Sequence, residues 1–194
     1  MKIHMILLAA GFGSRFGSNK LLYEMGGKPM YRHTLDVMLS LARELKDANV
    51  TVVTHYEEIY RDAKETGALC LMNRHSEQGI SSSVQIGLEA NLHPGKDAYY
   101  LFFTADQPEL KKETVRRFLS AFLRTGKGIG CLSENGVPKN PCVFHSCYTK
   151  ELLSIQGDRG GKQVVKSHPE DVFLYEAAGH ELGDIDVPGD IKRK

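Results

Sequence analysis

Several groups of residues in this chain have the types and spacing to do chemistry. The stretch Leu8–Leu22, LAAGFGSRFGSNKLL, sets Gly11, Gly13 and Gly17 beside two cations, Arg15 and Lys20. Glycine permits positive φ and close backbone approach, so amides from Ala10 to Gly17 are free to face an anion. The cations add charge at the same place, and a phosphate suits both. In LFFTADQPEL, Asp106 follows an apolar run and precedes Pro108, which stops a strand. A carboxylate there, opposite a phosphate loop, suits Mg²⁺, which is held by one or two carboxylates plus phosphate oxygens. The run GDIDVPGD alternates Asp184 and Asp186 with Ile185. In extended backbone both carboxylates face one side, and either serves as a second metal ligand. In GDRGGK, Gly157, Gly160 and Gly161 stand with Arg159 and Lys162. That is a second anion site at a helix start, or a plain turn between helices.

The glycine loop fits none of the common phosphate motifs. Its spacing is GxGxxxG, whereas the dinucleotide fingerprint needs GxGxxG and an acidic residue closing the next strand. Here that strand ends in Thr54-His55, with no acid before Glu57. A Walker A loop needs GxxxxGK[ST], and Gly27-Lys28 is followed by Pro29. The histidines, His75 and His145 among them, are scattered and form no catalytic arrangement.

The elements that must position these groups alternate between strand and helix, the pattern of a layered α/β fold. Continuous apolar character predicts strands over Ile3–Ala9, Val50–His55, Ala68–Asn73 and Ala98–Ala105. Tyr31, Leu35, Met38, Ala42 and Leu45 recur at helical spacing behind Pro29. Further helices are expected over Ser81–Leu92, Thr114–Thr125 and, as the last, Gly160–Ser167. KGIGCLS, CVFHS and Asp171–Glu176 read as later strands, with a turn over Gly136–Pro141. An irregular region is expected after about residue 130, within one domain. Open α/β sheets bind ligands beyond the carboxyl ends of their strands, where the glycine loop and Asp106 both fall.

A chain of 194 residues suits a single domain, and 41% hydrophobic with 25% charged residues suits an ordinary globular protein. A formal charge of +1 gives no support for nucleic-acid binding or for a basic membrane-binding face. No apolar stretch approaches the roughly 18 residues of a membrane span. Met5–Ala10 is too short for a secretory signal, and Arg15 and Lys20 stand where a cleavage region would be. The expectation is a cytoplasmic protein. Cys70, Cys131, Cys142 and Cys147 form no CxxC pair and no disulfide framework.

Taken in order, these motifs resemble the MobA-like nucleotidyltransferases, and within them the branch that transfers CMP to the molybdenum cofactor. The resemblance rests on LAAGFGSRFGSNKLL, NRHSEQGISSSVQIGL, TADQPEL, NPCVF, GDRGGK and GDIDVPGD, and covers nearly the whole chain. It implies a three-layer Rossmann-like fold with a mostly parallel central sheet. It also implies one nucleotidyltransferase domain over 1–194, with a nucleotide-binding half at 1–110 and an acceptor-binding half at 111–194. Lys20, Arg15 and Asp106 become the catalytic set. Leu8, Ala9, Ala10, Gly11, Gly13, Ser14, Arg15, Lys20, Gly79, Ser81, Ser83 and Asp106 become the nucleotide-binding set. Asn140, Asp158 and Gly160 fall on the acceptor side, and Mg²⁺ is assigned to Asp106 with Asp186 or Asp184. The implied substrates are CTP and a molybdopterin-type phosphate acceptor, with a molybdenum hydroxylase apoprotein as receiving partner. Ala10 stands where guanylyl relatives have a second glycine, and Asn19 where sugar-phosphate relatives have proline. Val137, Pro138 and Lys139 depart from the usual small or basic neighbours of the acceptor-side motif.

A phosphate monoester has a second pKa of about 6, so an acceptor phosphate needs no side-chain base near neutrality. The expected work of the site is therefore positioning and charge neutralisation. Two alternatives stay open at this point: transfer to a sugar or polyol phosphate, and a non-catalytic molybdenum cofactor carrier.

Overall fold

A computed structural model describes residues 1–11, 16, 19–92 and 97–191. Arg15, Gly13 and Ser14 of the expected phosphate loop lie outside the described residues. The elements in chain order begin with β1 (Lys2–Ala9), the short hairpin β2 (Glu24–Met25) and β3 (Lys28–Pro29), and α1 (Met30–Glu44). They continue with β4 (Ala48–Thr54), α2 (Glu57–Glu65), β5 (Leu69–Met72), α3 (Ile80–Glu89), β6 (Ala98–Thr104) and α4 (Lys112–Phe122). The last part holds β7 (Ile129–Glu134), β8 (Val137–His145), α5 (Thr149–Ser154), α6 (Lys162–Ser167), β9 (Val172–Glu176) and α7 (Pro188–Ile191).

Seven strands form one sheet in the order β5-β4-β1-β6-β8-β7-β9. β1 runs parallel to β4 and β6, β4 to β5, and β7 to β9, while β8 is antiparallel to both of its neighbours. The sheet is mostly parallel, and its central strands β1 and β6 bury both faces, as their continuous apolar sequences require. In β1, Ile3, Met5, Leu7 and Ala9 join a core with α1, α2 and α4. Ile6 joins a second core with α3, α5 and α6 on the opposite face. β6 divides the same way, Leu101 and Phe103 to one side and Tyr100 and Phe102 to the other. This period of two makes three layers from one sheet. No helix among the described residues is long and apolar enough to cross a membrane.

Two local expectations are corrected. The turn expected over Gly136–Pro141 is strand: β8 starts at Val137, and the reversal falls at Asn135 and Gly136, both with positive φ. Two prolines mislead here: Pro141 falls where the register shifts at Cys131/Leu132, an irregular pairing that tolerates its missing donor, while Pro138 pairs with Ser133 near the strand's start. The region after residue 130 accordingly contains three strands of the main sheet. Gly160–Ser167 shortens to α6 and is not the last helix, since α7 follows.

The topology brings three strand ends level. Ala9 pairs with Thr54, and Leu8 with Thr104. The loop after β1, the residues after β4 and Asp106 after β6 therefore leave the sheet side by side, at the edge where open α/β folds hold ligands.

Candidate active site

Beyond the strand ends, three consecutive residues of one chain segment hold three consecutive carbonyls of another. Thr54 Oγ1 donates to the Ala9 carbonyl at 2.8 Å, and His55 Nδ1 lies 3.1 Å from the Ala10 carbonyl. The Tyr56 hydroxyl donates to the Gly11 carbonyl at 2.9 Å. Carbonyl oxygens repel phosphate, and these are engaged by groups from the β4 side. Burial lowers the His55 pKa, and its contact with the Ala10 carbonyl only partly opposes that. The ring is thus biased toward the neutral form, which donates from Nδ1 if the proton sits there.

Lys20 opens a single 3-10 turn whose preceding residue, Asn19, caps the Leu21 amide at 3.1 Å. Its buried side chain carries the ammonium to Asp106 Oδ2 at 2.9 Å, Asp186 Oδ1 at 3.0 Å and the Ile185 carbonyl at 3.0 Å. Burial alone would lower the Lys20 pKa; Asp106 and then Asp186 outweigh it and raise it. Lys20 is a cation throughout the neutral range.

Residues 80 positions apart in sequence meet here because the Ile185 amide donates to the Asp106 carbonyl at 3.0 Å. Ile185 itself is buried with Phe16 and Met30, which anchors the extended run. The alternation expected of Asp184 and Asp186 holds around that buried residue, but their partners differ. Asp186 goes to Lys20, while Asp184 Oδ1 accepts from Gln107 Nε2 at 3.0 Å. Protein crowding around the Asp184 carboxyl raises its pKa, with the charge of Asp106 adding and Gln107 opposing.

These groups border a cleft of about 310 Å³ that Ala10, Gly11, Lys20, Asp106 and Asp186 share with Gly79, Ser83 and Asp158. On its far side Gly79 has φ +90°, and a Cβ there would fall 2.6 Å from Asp158 Oδ1 and 2.6 Å from the Gly157 carbonyl carbon. Only glycine allows the start of α3 to approach the Gly157–Arg159 turn this closely. Asp158 Oδ1 accepts from the Ile80 amide at 3.3 Å across that approach. Asn73 Nδ2 reaches Ser82 Oγ and Ser83 Oγ at 2.9 Å each, fixing the first turn of α3 against β5's end. A second cavity of about 140 Å³ adjoins the cleft through Leu8, Ile80 and Asp158. It has an aromatic floor of Phe102 and Phe144, with Asn140, Arg159, Gly160 and Lys162 around it.

Comparison with known proteins gives this geometry a family. The model of the MobA-like NTP transferase domain matches residues 5–172. The chain belongs to the MobA-like NTP transferase family. It is 33% identical over 136 residues to the bifunctional protein GlmU of Bordetella petrii, a match that takes 68% of this chain and 28% of that protein. The chain thus spans under a third of the length of that bifunctional relative. It is 30% identical over 161 residues to a probable molybdenum cofactor guanylyltransferase of Pyrococcus horikoshii, covering 82% of this chain and 76% of that one. Among solved structures, the manganese complex of Rv0371c from Mycobacterium tuberculosis H37Rv superimposes with a TM-score of 0.74 at 22% identity, over 100% of this chain and 97% of that one. That likeness shows a shared fold.

Within this MobA-like domain, the sequence-predicted residues are partly assembled. Leu8, Ala10, Gly11, Lys20, Gly79, Ser83 and Asp106 line the main cleft, and Asn140, Asp158 and Gly160 all line the second cavity. Ala9 belongs to the core and contributes its tied carbonyl, and Ser81 is buried in α3 away from the cleft lining. Lys20 reaches the cleft with its ammonium on two carboxylates and a carbonyl. Sequence reasoning missed Thr54, His55 and Tyr56. Their signal was position alone, at the carboxyl end of a strand beside the glycine loop.

Whether the residues present fit a divalent cation is decided by Asp106. Among the described residues its buried Oδ1 has no hydrogen-bond partner, and neither does the buried Thr104 Oγ1 two residues earlier. Leaving a buried carboxylate oxygen unpaired is costly, and a cation bound there would remove that cost. Asp106 and Asp186 meet at Lys20, and two such carboxylates leave the rest of a cation's shell to phosphate oxygens. Oxygen donors with net negative charge fit Mg²⁺ or Mn²⁺.

Proposed function

We propose that this protein is a Mg²⁺-dependent nucleotidyltransferase that moves CMP from CTP to the phosphate of a molybdopterin-type acceptor and releases pyrophosphate. The observation that carries the reading is the partnerless, buried Asp106 Oδ1 at the mouth of the loop-lined cleft. Asp106 and Asp186 are the residues that would hold the cation, with Asp184 behind them on Gln107. When bound, such a cation supplies charge neutralisation at the phosphates.

The chain's own residues do the rest. The amide side of Ala10 and Gly11 receives the triphosphate while Thr54, His55 and Tyr56 restrain their carbonyls. The close approach of Gly79 to Asp158 would set one wall for the base, and Ala10, in the same lining, carries a Cβ that would suit a pyrimidine. Phe102 and Phe144 offer a flat apolar floor for the acceptor, and Arg159 and Lys162 offer charge to its phosphate. An acceptor oxygen attacks the α-phosphorus, the bond to the oxygen bridging the α- and β-phosphorus breaks, and pyrophosphate departs with that oxygen. Because the acceptor monoester is already largely dianionic near neutrality, no protein base is required. Arg15 completes this reading from the glycine loop.

In a second reading the acceptor is a sugar or polyol phosphate. Both share the cleft and differ in the second cavity. Incubating the protein with each of the four nucleoside triphosphates and Mg²⁺, and following pyrophosphate release with molybdopterin or with sugar and polyol phosphates, separates them. CTP with molybdopterin is the expected pair. Release with a sugar phosphate alone would replace the acceptor, and release with none would also admit the cofactor carrier. A molybdenum hydroxylase apoprotein is not needed for either reaction, and the proposal stops at the small-molecule product.

A further inference from the structure

The carboxylates that suit a metal ion are already held by a lysine. Lys20 Nζ has three protons, and Asp106 Oδ2, Asp186 Oδ1 and the Ile185 carbonyl accept at 2.9, 3.0 and 3.0 Å. The side chain is 9% exposed, so water adds little to this shell. Without an intervening cation, Asp106 and Asp186 would face each other as like charges. The ammonium is compact, and a four-carbon stem lets it turn without moving the backbone, unlike a planar guanidinium. It also lines the same cleft that receives the triphosphate.

We propose that Lys20 is the site's own counter-cation: it holds the carboxylates that a divalent cation needs, and yields them when triphosphate oxygens take its ammonium. The inference rests on the nucleotidyltransferase reading for the identity of the incoming anion. A dication approaching Asp106 Oδ2 or Asp186 Oδ1 in the free protein meets a positive charge already at hydrogen-bond distance. Asp106 Oδ1 remains as an unengaged oxygen, too little to hold the ion alone. Among the described residues, no group of three or more His, Cys, Asp and Glu side chains is placed to hold a metal ion. Once phosphate oxygens are present, Lys20 exchanges one set of charge-assisted bonds for another of the same kind, and the carboxylates are released. Metal and nucleotide then raise each other's affinity, because coupling between two sites is reciprocal.

The test uses Mn²⁺ as the probe, its free form counted by electron paramagnetic resonance, on the full chain. Wild type, Lys20→Met and Lys20→Gln are each titrated alone and with a non-hydrolysable CTP analogue, after correction for manganese bound by the analogue itself. Wild type is expected to bind Mn²⁺ weakly alone and at least about tenfold more tightly with the analogue, within the 5- to 150-fold span of coupled sites. Both variants are expected to bind Mn²⁺ alone about tenfold more tightly than wild type, and to lose most of the gain from nucleotide. Thermal melts confirm that each variant is folded; should neither fold, the wild-type coupling still decides. Manganese affinity unchanged in folded variants, or independent of a nucleotide analogue that does bind wild type, overturns the assignment. If the variants gain manganese while no nucleotide binds to any form, Lys20 keeps its counter-cation role and the nucleotidyltransferase reading is what fails.

Discussion

Replacing Asp106 with alanine separates the chemical role of this carboxylate from its structural one. The substitution removes one charge-assisted bond, Lys20 Nζ to Asp106 Oδ2 at 2.9 Å, and the partnerless Oδ1 beside it. Lys20 keeps Asp186 and the Ile185 carbonyl, and the Ile185 amide still reaches the backbone carbonyl of residue 106. A bond of this type contributes about 1.5–3 kcal/mol, and the 21% exposure of the Asp106 side chain places the loss toward the lower end. At roughly 2–4 °C per kcal/mol for a chain of this size, the melting temperature is expected to fall by about 3–8 °C. Turnover responds on another scale. Losing a carboxylate that would hold the charge-neutralising cation is expected to cost about 10²–10³ in rate, as the loss of one preorganised electrostatic contact does. The assay is coupled pyrophosphate release beside a circular dichroism melt on the same preparation. Melting lowered by a few degrees with transfer reduced at least a hundredfold is the expected pair of results. Lowered melting with near-normal turnover would reduce Asp106 to a structural partner of Lys20 and refute the reasoning.

Tyr56→Phe removes one neutral hydrogen bond to the Gly11 carbonyl, worth about 1 kcal/mol, and is expected to raise the nucleotide KM about fivefold with kcat little changed, as steady-state kinetics will show. Gly79→Ala introduces a Cβ 2.6 Å from Asp158 Oδ1 at φ +90°, so nucleotide binding measured by calorimetry should weaken sharply and the melting temperature fall. Because burial lowers the folded-state pKa of His55, the unfolded chain binds its proton first; the associated stability is complete above about pH 6.5 and declines as pH falls through that value. Denaturant unfolding from pH 8 to pH 5 should show that decline in wild type and a shallower one in His55→Gln.

The fold was legible where apolar runs are long and decisive. β1 and β6 are buried on both faces, and their unbroken apolar sequences state as much. β8 was obscured because Pro138 and Pro141 lie inside it, beside an irregular register that local rules do not foresee. α2 was missed because Ile59 and Ala63 are its only fully buried positions, too few to show a helical period. At the site, residue types were readable and partners were not. Asp106 stands out by its place after a strand, and Asp186 by alternation with Ile185. Their meeting at Lys20 depends on the backbone bond between Ile185 and Asp106, a long-range pairing with no local signature. The Thr54–Tyr56 latch shows the same limit, since it exists only because β1 and β4 are in register at Ala9 and Thr54.

The central claim is that the cleft between the opening loop and Asp106 binds a nucleoside triphosphate together with a divalent cation. A thermal-shift titration tests it most directly, with each of the four nucleoside triphosphates in the presence and absence of Mg²⁺. Ligand at a hundred times its Kd stabilises by about 2.7 kcal/mol, roughly 5–11 °C for a chain of this length. The account predicts a shift of that size with CTP and Mg²⁺, smaller with CTP alone and absent in Asp106→Ala. No shift with any nucleotide, or an equal one in Asp106→Ala, would contradict it.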